Sequence, residues 1–258
     1  GVVERGRNPG VIHAGQTRRA CTTAPAKTAG QGFTTPSLAA VQISRKSLLT
    51  VYQQLFEHYG PQHWWPAESP FEVMVGAILT QNTAWSNVEK ALANLVAHDR
   101  LDAAKIIATR MDYLANWLRP SGYFNVKAER LKNFCRWYLD AGGFGSLSGL
   151  DTTQLRQVLL SVNGVGPETA DDMLLYAFER PVFVIDAYTR RLFGRLRLFA
   201  VNESYDSLRT AIESALGPDV TLFNEYHALL VRHAKDVCRP NPRCDRCVLL
   251  DHCPAGAE

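Results

Sequence analysis

Four cysteines near the end of the chain, and one aspartate beyond a turn with paired glycines, are the residues whose types and spacing can do chemistry. Cys238, Cys244, Cys247 and Cys253 stand as C-x5-C-x2-C-x5-C within the last twenty-one of 258 residues. Thiolates so spaced hold either an iron–sulfur cluster or a structural zinc. Disulfides are the alternative. Cys21 and Cys135 stand apart, however, and no secretory signal is evident, which favours a reducing compartment and metal-ligand thiols.

The second constellation is Leu160-Ser161-Val162-Asn163-Gly164-Val165-Gly166-Pro167-Glu168-Thr169-Ala170, with Asp186 sixteen residues further on. Leu155, Val158, Leu159 and Val162 give the segment before the turn an apolar helical face, and Met173, Leu174 and Ala177 do the same after it. Glycine permits left-handed backbone. Without side chains the turn can bring N–H groups against a phosphate, and Pro167 suits the first position of the next helix. The pattern is that of a helix-hairpin-helix, which grips a nucleic-acid backbone without reading bases; an ordinary joint between two helices is the plainer alternative.

These residues need a scaffold, and the periodicity supplies helices. Apolar residues recur at i, i+3 or i+4 near 47–59, 70–81, 84–97, 101–109, 125–140, 152–162, 167–178, 186–198, 204–216 and 220–237. Asp151 with Gln154 predicts a capping box, and Gly142-Gly143 separates two segments. No segment alternates as a strand does and no internal repeat is found, so the expected fold is all-α. No apolar run approaches the ~20 residues that span a bilayer, so no membrane partner is expected.

Net charge is only +3, and residues 1–40 carry five basic side chains against one acidic one. Affinity for a polyanion must then come from clusters rather than from overall charge. Arg190, Arg191, Arg195 and Arg197 follow Asp186, and Lys235, Arg239, Arg243 and Arg246 surround the cysteines. A solvated surface is the usual meaning of such runs; their place beside the two motifs favours phosphate contacts.

The hairpin with Asp186, the four-cysteine tail and Leu79-Thr80-Gln81-Asn82-Thr83 together resemble the endonuclease III superfamily of DNA glycosylases, over about residues 45–253. The first cysteine spacing is one shorter than the family's common x6. Trp64-Trp65-Pro66, Phe71-Glu72-Val73-Met74-Val75-Gly76-Ala77, Pro120-Ser121-Gly122-Tyr123-Phe124-Asn125-Val126-Lys127-Ala128 and Glu168-Thr169-Ala170-Asp171 look like the 3-methyladenine glycosylase branch. The resemblance implies a base-excision repair enzyme that flips a damaged base out of double-stranded DNA and hydrolyses its N-glycosidic bond. It also implies a C-terminal 4Fe–4S cluster on Cys238, Cys244, Cys247 and Cys253, and two helical lobes with DNA in the cleft between them.

Site roles follow from the same resemblance. Asp186 is expected to stabilise the cationic sugar, though it can equally cap the helix from Ala187. The family's bifunctional members place a lyase lysine two residues after the hairpin's second glycine; Glu168 stands there, and a carboxylate forms no Schiff base. Trp64, Trp65 and Phe71 are expected to line the base pocket with Glu168, aromatic faces suiting cationic alkylated purines; core packing is their plainer role. Gln81 and Tyr123 are the expected wedge residues, with Tyr188 nearby, and Gly164, Gly166, Arg191, Arg239 and Arg243 are expected to hold phosphates. The expected activity is monofunctional. Two alternatives stay open: a bifunctional endonuclease III for oxidised pyrimidines using another lysine such as Lys127, and a non-catalytic DNA-binding protein.

The expected organisation is a flexible basic tail over 1–40, a helical barrel over 62–180 carrying the hairpin, and an iron–sulfur lobe combining 41–61 with 181–258. A monomer in a bacterial-type cytoplasm, associated with the nucleoid, completes the reading.

Overall fold

The computed structural model describes residues 43–200 and 202–256, and the tail expected over 1–40 lies outside the described residues. The described residues form one compact unit. Twelve α-helices are described: α1 (Arg45–Tyr59), α2 (Pro70–Thr80), α3 (Trp85–Ala97), α4 (Ala103–Ala108), α5 (Met111–Trp117), α6 (Phe124–Asp140), α7 (Gly143–Ser148), α8 (Thr152–Leu160), α9 (Pro167–Asp172), α10 (Ala187–Arg195), α11 (Tyr205–Leu216) and α12 (Val220–Asp236). Among the described residues there is no strand and no helix long and apolar enough to cross a membrane.

Helix starts are written in short polar side chains. Ser69, Asp102, Ser204 and Asp219 each accept the N–H three residues on, and Asp151 with Gln154 closes the expected capping box. Two helices escape the periodicity argument. α5 has only seven residues. α7 opens on Gly142 as its cap and Gly143 as its first residue, both at positive φ, and is held by tertiary contacts: Phe144 stacks on Phe178 with ring centroids 4.9 Å apart, and the Phe144 N–H donates to Tyr138 Oη at 3.0 Å. Packing overrides weak local propensity here.

Buried apolar side chains sort into two clusters. One is drawn from residues 73–182 and centres on α2, α3, α6 and the hairpin. The other joins Ile43, the α1 residues Leu48, Val51 and Leu55, and Leu175 to residues 183–249, with Phe193, Phe223 and Tyr226 fully enclosed. At ~1.5–3 kcal/mol for each large apolar side chain, these clusters hold the helices that carry the site. Tyr226 Oη donates to the Leu48 carbonyl at 2.7 Å, fixing α12 on α1. Arg156 of α8 pairs with Asp171 of α9 at 2.7 Å and with Asp206 of α11 at 2.8 Å. Tyr176 packs against both clusters, so the chain crosses from one to the other beside it.

Candidate functional site

The hairpin is α8, the turn Ser161–Gly166, and α9. Gly164 has φ +96°, and a Cβ there would stand 2.3 Å from Arg130 Cγ, so only glycine lets Arg130 lie over the turn. Gly166 differs. Its backbone is extended, and a Cβ would meet nothing within 4 Å. The fold therefore does not demand glycine at 166, and the space beside it opens onto the groove lined by Gln81, Arg130, Pro167 and Glu168.

Beyond α9 the helix passes into one π turn, Met173–Ala177. Glu168, Asp172 and Tyr176 recur four residues apart, and the charge of Glu168 acts on Asp172 and that of Asp172 on Tyr176. Asp186 stands at the cap of α10, where one oxygen accepts the Thr189 N–H at 2.6 Å. Its other oxygen is 3.6 Å from His227 Nε2 on α12. His227 Nδ1 is bonded to Tyr176 Oη at 2.6 Å. Asp186 is therefore both the expected helix cap and a carboxylate within a buried polar group.

The environments push these acids apart. Burial raises the Asp186 carboxyl, but the His227 side chain and the Thr189 N–H outweigh it and hold the group below the ordinary aspartate range. Burial, then the charges of Glu168 and Asp186, raise Asp172 well above that range. Glu168 is raised by desolvation and by Asp186; its side chain still reaches water, which screens the effect. One buried carboxyl lowered beside another raised is a division characteristic of acid–base sites.

Trp64, Trp65, Trp85 and Tyr176 form one aromatic cluster. Trp85 lies 5.4 Å from Trp64 and 4.8 Å from Trp65, and Trp65 lies 5.2 Å from Tyr176. Tyr176 thus joins the tryptophans to His227 and Asp186. Phe71 sits elsewhere: its ring contacts Tyr138 on α6 at 5.4 Å, within the first core cluster. Core packing accounts for Phe71.

Gln81 and Tyr123 occupy two loops of contrasting character. Gln81 Nε2 donates to the Gly164 carbonyl and to Thr169 Oγ1, both at 3.0 Å, while Arg130 donates to its Oε1. Gln81 is therefore bound to the hairpin. Tyr123 is 71% exposed on a left-handed backbone of φ +45°, an uncommon posture for a non-glycine residue. Lys127, the alternative nucleophile, is 1% exposed, and its amine donates to the Leu79 and Ser121 carbonyls at 2.8 and 2.6 Å. Burial lowers its pKa to about 8.

The cysteine loop wraps one end of α10. Among the described residues no three metal-ligating side chains converge on a single ion, and none of the cysteines is in a disulfide. Cys238, Cys244, Cys247 and Cys253 instead line one largely apolar cavity with Leu192, Leu196 and Leu249. Arg195 Nη1 donates to Cys238 Sγ at 3.2 Å and Cys247 Sγ lies 3.5 Å from His233 Nε2. Arg239 and Arg243 are exposed and share a second cavity with Lys235 and Arg246. Arg191 departs from expectation. Its donors go to the Cys238 and Ala234 carbonyls at 2.8 and 2.9 Å while its guanidinium covers the half-buried Tyr188 ring. Arg191 fastens the loop to α10 and α12, which a charge run alone does not disclose.

A helical fold with a hairpin, a capping aspartate and a basic cysteine loop defines a class of DNA-repair protein. Residues 75–218 match the HhH-GPD superfamily base excision DNA repair protein model, and the chain belongs to that superfamily. It is accordingly a DNA N-glycosylase. A candidate DNA repair glycosylase of Methanocaldococcus jannaschii is 45% identical over 79% of this chain and 94% of its own length. The solved H. pylori 3-methyladenine DNA glycosylase bound to 1,N6-ethenoadenine is 29% identical, covering 75% of this chain and 98% of that one with a TM-score of 0.64. An endonuclease III–DNA complex, at 19% identity and TM-score 0.72 over 84% of this chain and 98% of that one, shares the fold.

Proposed function

We propose that this chain is a monofunctional glycosylase that extrudes an alkylated purine and hydrolyses its N-glycosidic bond, leaving the strand intact. The observation that carries the reading is the pair of carboxylates on either side of one site: Glu168 two residues after Gly166, where a lyase needs an amine, and Asp186 buried and ionised. Lys127 supplies no alternative nucleophile, because its amine is enclosed and engaged by two carbonyls.

The chemistry divides among the residues as follows. As the base departs with the bonding electron pair, positive charge gathers on the sugar, and Asp186 stabilises it. Water then adds at the anomeric carbon and its proton passes to the carboxylate. The cluster of Trp64, Trp65, Trp85 and Tyr176 supplies faces for an electron-poor base, and Glu168 favours positive charge near it. Tyr123 is the side chain for the vacated stack, with Gln81 bracing the turn behind it. Gly164 and Gly166 present the hairpin to one phosphate run and Arg239 and Arg243 present the cysteine loop to another. The 29% identical 3-methyladenine glycosylase supports the substrate class.

Four soft thiols around one cavity fit a 4Fe–4S cluster, which Cys238, Cys244, Cys247 and Cys253 would hold as a structural group. Arg195, which donates to Cys238 Sγ, would offset the negative charge of such a cluster.

The test is a set of duplexes each carrying one lesion, with base release and strand nicking read separately. Release of alkylated purines without nicking, and no borohydride trapping on DNA, is the expected result. Efficient trapping would require an imine and would end the monofunctional reading.

A further inference from the structure

The helix cap ties down only one oxygen of Asp186. Its Oδ1 accepts the Thr189 N–H at 2.6 Å; Oδ2 faces His227 Nε2 at 3.6 Å. His227 is 5% exposed, and its other ring nitrogen meets Tyr176 Oη at 2.6 Å. With Tyr176 donating to Nδ1, the ring proton lies on Nε2, facing Asp186. That nitrogen is buried and has no hydrogen-bond partner among the described residues. Buried donors are rarely left so, and one aimed at a carboxylate from just beyond bonding distance suits a contact that tightens when the site is filled. Tyr176 owes its place to the π turn that ends α9, an irregularity that recurs at functional sites.

We propose that Tyr176 and His227 form an arm that positions Asp186, with His227 closing on Oδ2 as charge gathers on the sugar. The proposal rests on the reading of Asp186 as the reacting carboxylate. The other charged groups around it work in both directions. The charge of Asp186 raises Glu168 and Asp172 on α9, Arg190 on α10 offsets it at Glu168, and Glu225 on α12 acts on Tyr176. His227 is the group on the opposite wall that keeps Asp186 ionised among them.

The experiment follows single-turnover base release from pH 5 to 8 for the wild type, His227→Leu, His227→Gln and Tyr176→Phe. Affinity for product duplex and the carbon-13 titration of the Asp186 carboxyl are measured on the same proteins. His227→Leu is expected to move the acid limb of the rate to higher pH, with a loss about tenfold greater at pH 5 than at pH 8. DNA affinity stays unchanged. His227→Gln, which restores a donor, recovers part of the loss, and Tyr176→Phe, which leaves the packing intact, shifts the limb less in the same direction. The Asp186 titration moves upward with the rate profile. A loss equal at every pH with an unmoved titration would overturn the proposal by reducing His227 to scaffold. A wild-type rate in Asp186→Asn would remove the underlying reading of Asp186 and the arm's catalytic meaning with it, even where the titration shifts.

Discussion

Lys127 Nζ donates to the Leu79 carbonyl at 2.8 Å, and a second bond to Ser121 makes this buried amine the tie between the end of α2 and the Arg119–Ser121 turn. Leu79 lies two residues before Gln81, and Ser121 two before Tyr123. Tyr123, proposed to enter the opened duplex, and Gln81, which braces the turn behind it, thus hang from one fixed point. An ordered loop loses less entropy when DNA arrives, which is the advantage of such pre-organisation.

The pH dependence of that tie is calculable in sign. Burial, followed by the charge of Arg130, lowers Lys127 to about 8, while the unfolded chain keeps it near 10.5. Below pH 8 both states carry the proton; between about 8 and 10.5 the unfolded state carries it alone, so stability contributed by this site rises with pH across that window. Lys127→Met abolishes the difference. Denaturant unfolding from pH 7.5 to 10.5 should show the wild type gaining on the variant by up to ~2–3 kcal/mol. Parallel profiles would contradict the buried, depressed amine.

The hairpin, Asp186 and the capping box at Asp151 were legible in the sequence because their signals are local: glycines and short acceptors act within three or four residues. The partners of Asp186 were not. Tyr176 and His227 are 51 residues apart, and each alone looks like an ordinary helical residue. Their meeting depends on how α12 packs and on a π turn with no sequence signature. Trp85 and Arg130 escaped for the same reason, their roles arising only across helices. The arginine run after Asp186 carried a local signal that misled: charge spacing cannot tell a phosphate contact from a bond to a backbone carbonyl, which is what engages Arg191.

That distinction yields a paired prediction. Arg239→Ala and Arg243→Ala should weaken binding to every duplex alike and each lower the slope of log affinity against log salt by about 1. Arg191→Ala should leave the slope nearly unchanged and instead cost ~1–3 kcal/mol of stability, since two carbonyls lose their donor. Salt titrations with thermal melts separate the two behaviours; a reduced slope in Arg191→Ala would return it to the phosphate contacts.

The cysteine loop makes its own claim. The purified protein should be brown, with iron and acid-labile sulfide present in equal amounts. Cys244→Ser should lose colour and fold stability together, before any effect on chemistry can be isolated. Metal analysis finding a single zinc and no sulfide would replace the cluster.

The central claim is hydrolysis directed by Asp186, and the most direct measurement is single-turnover base release by wild type and Asp186→Asn on a duplex carrying one alkylated purine, with DNA affinity determined in parallel. The wild type should release the base and leave a strand that breaks only on alkali. Asp186→Asn should fall by at least ~100-fold in rate, as expected when a charge-stabilising group is removed, while binding DNA as tightly or more so. A variant that releases base at the wild-type rate would contradict the account.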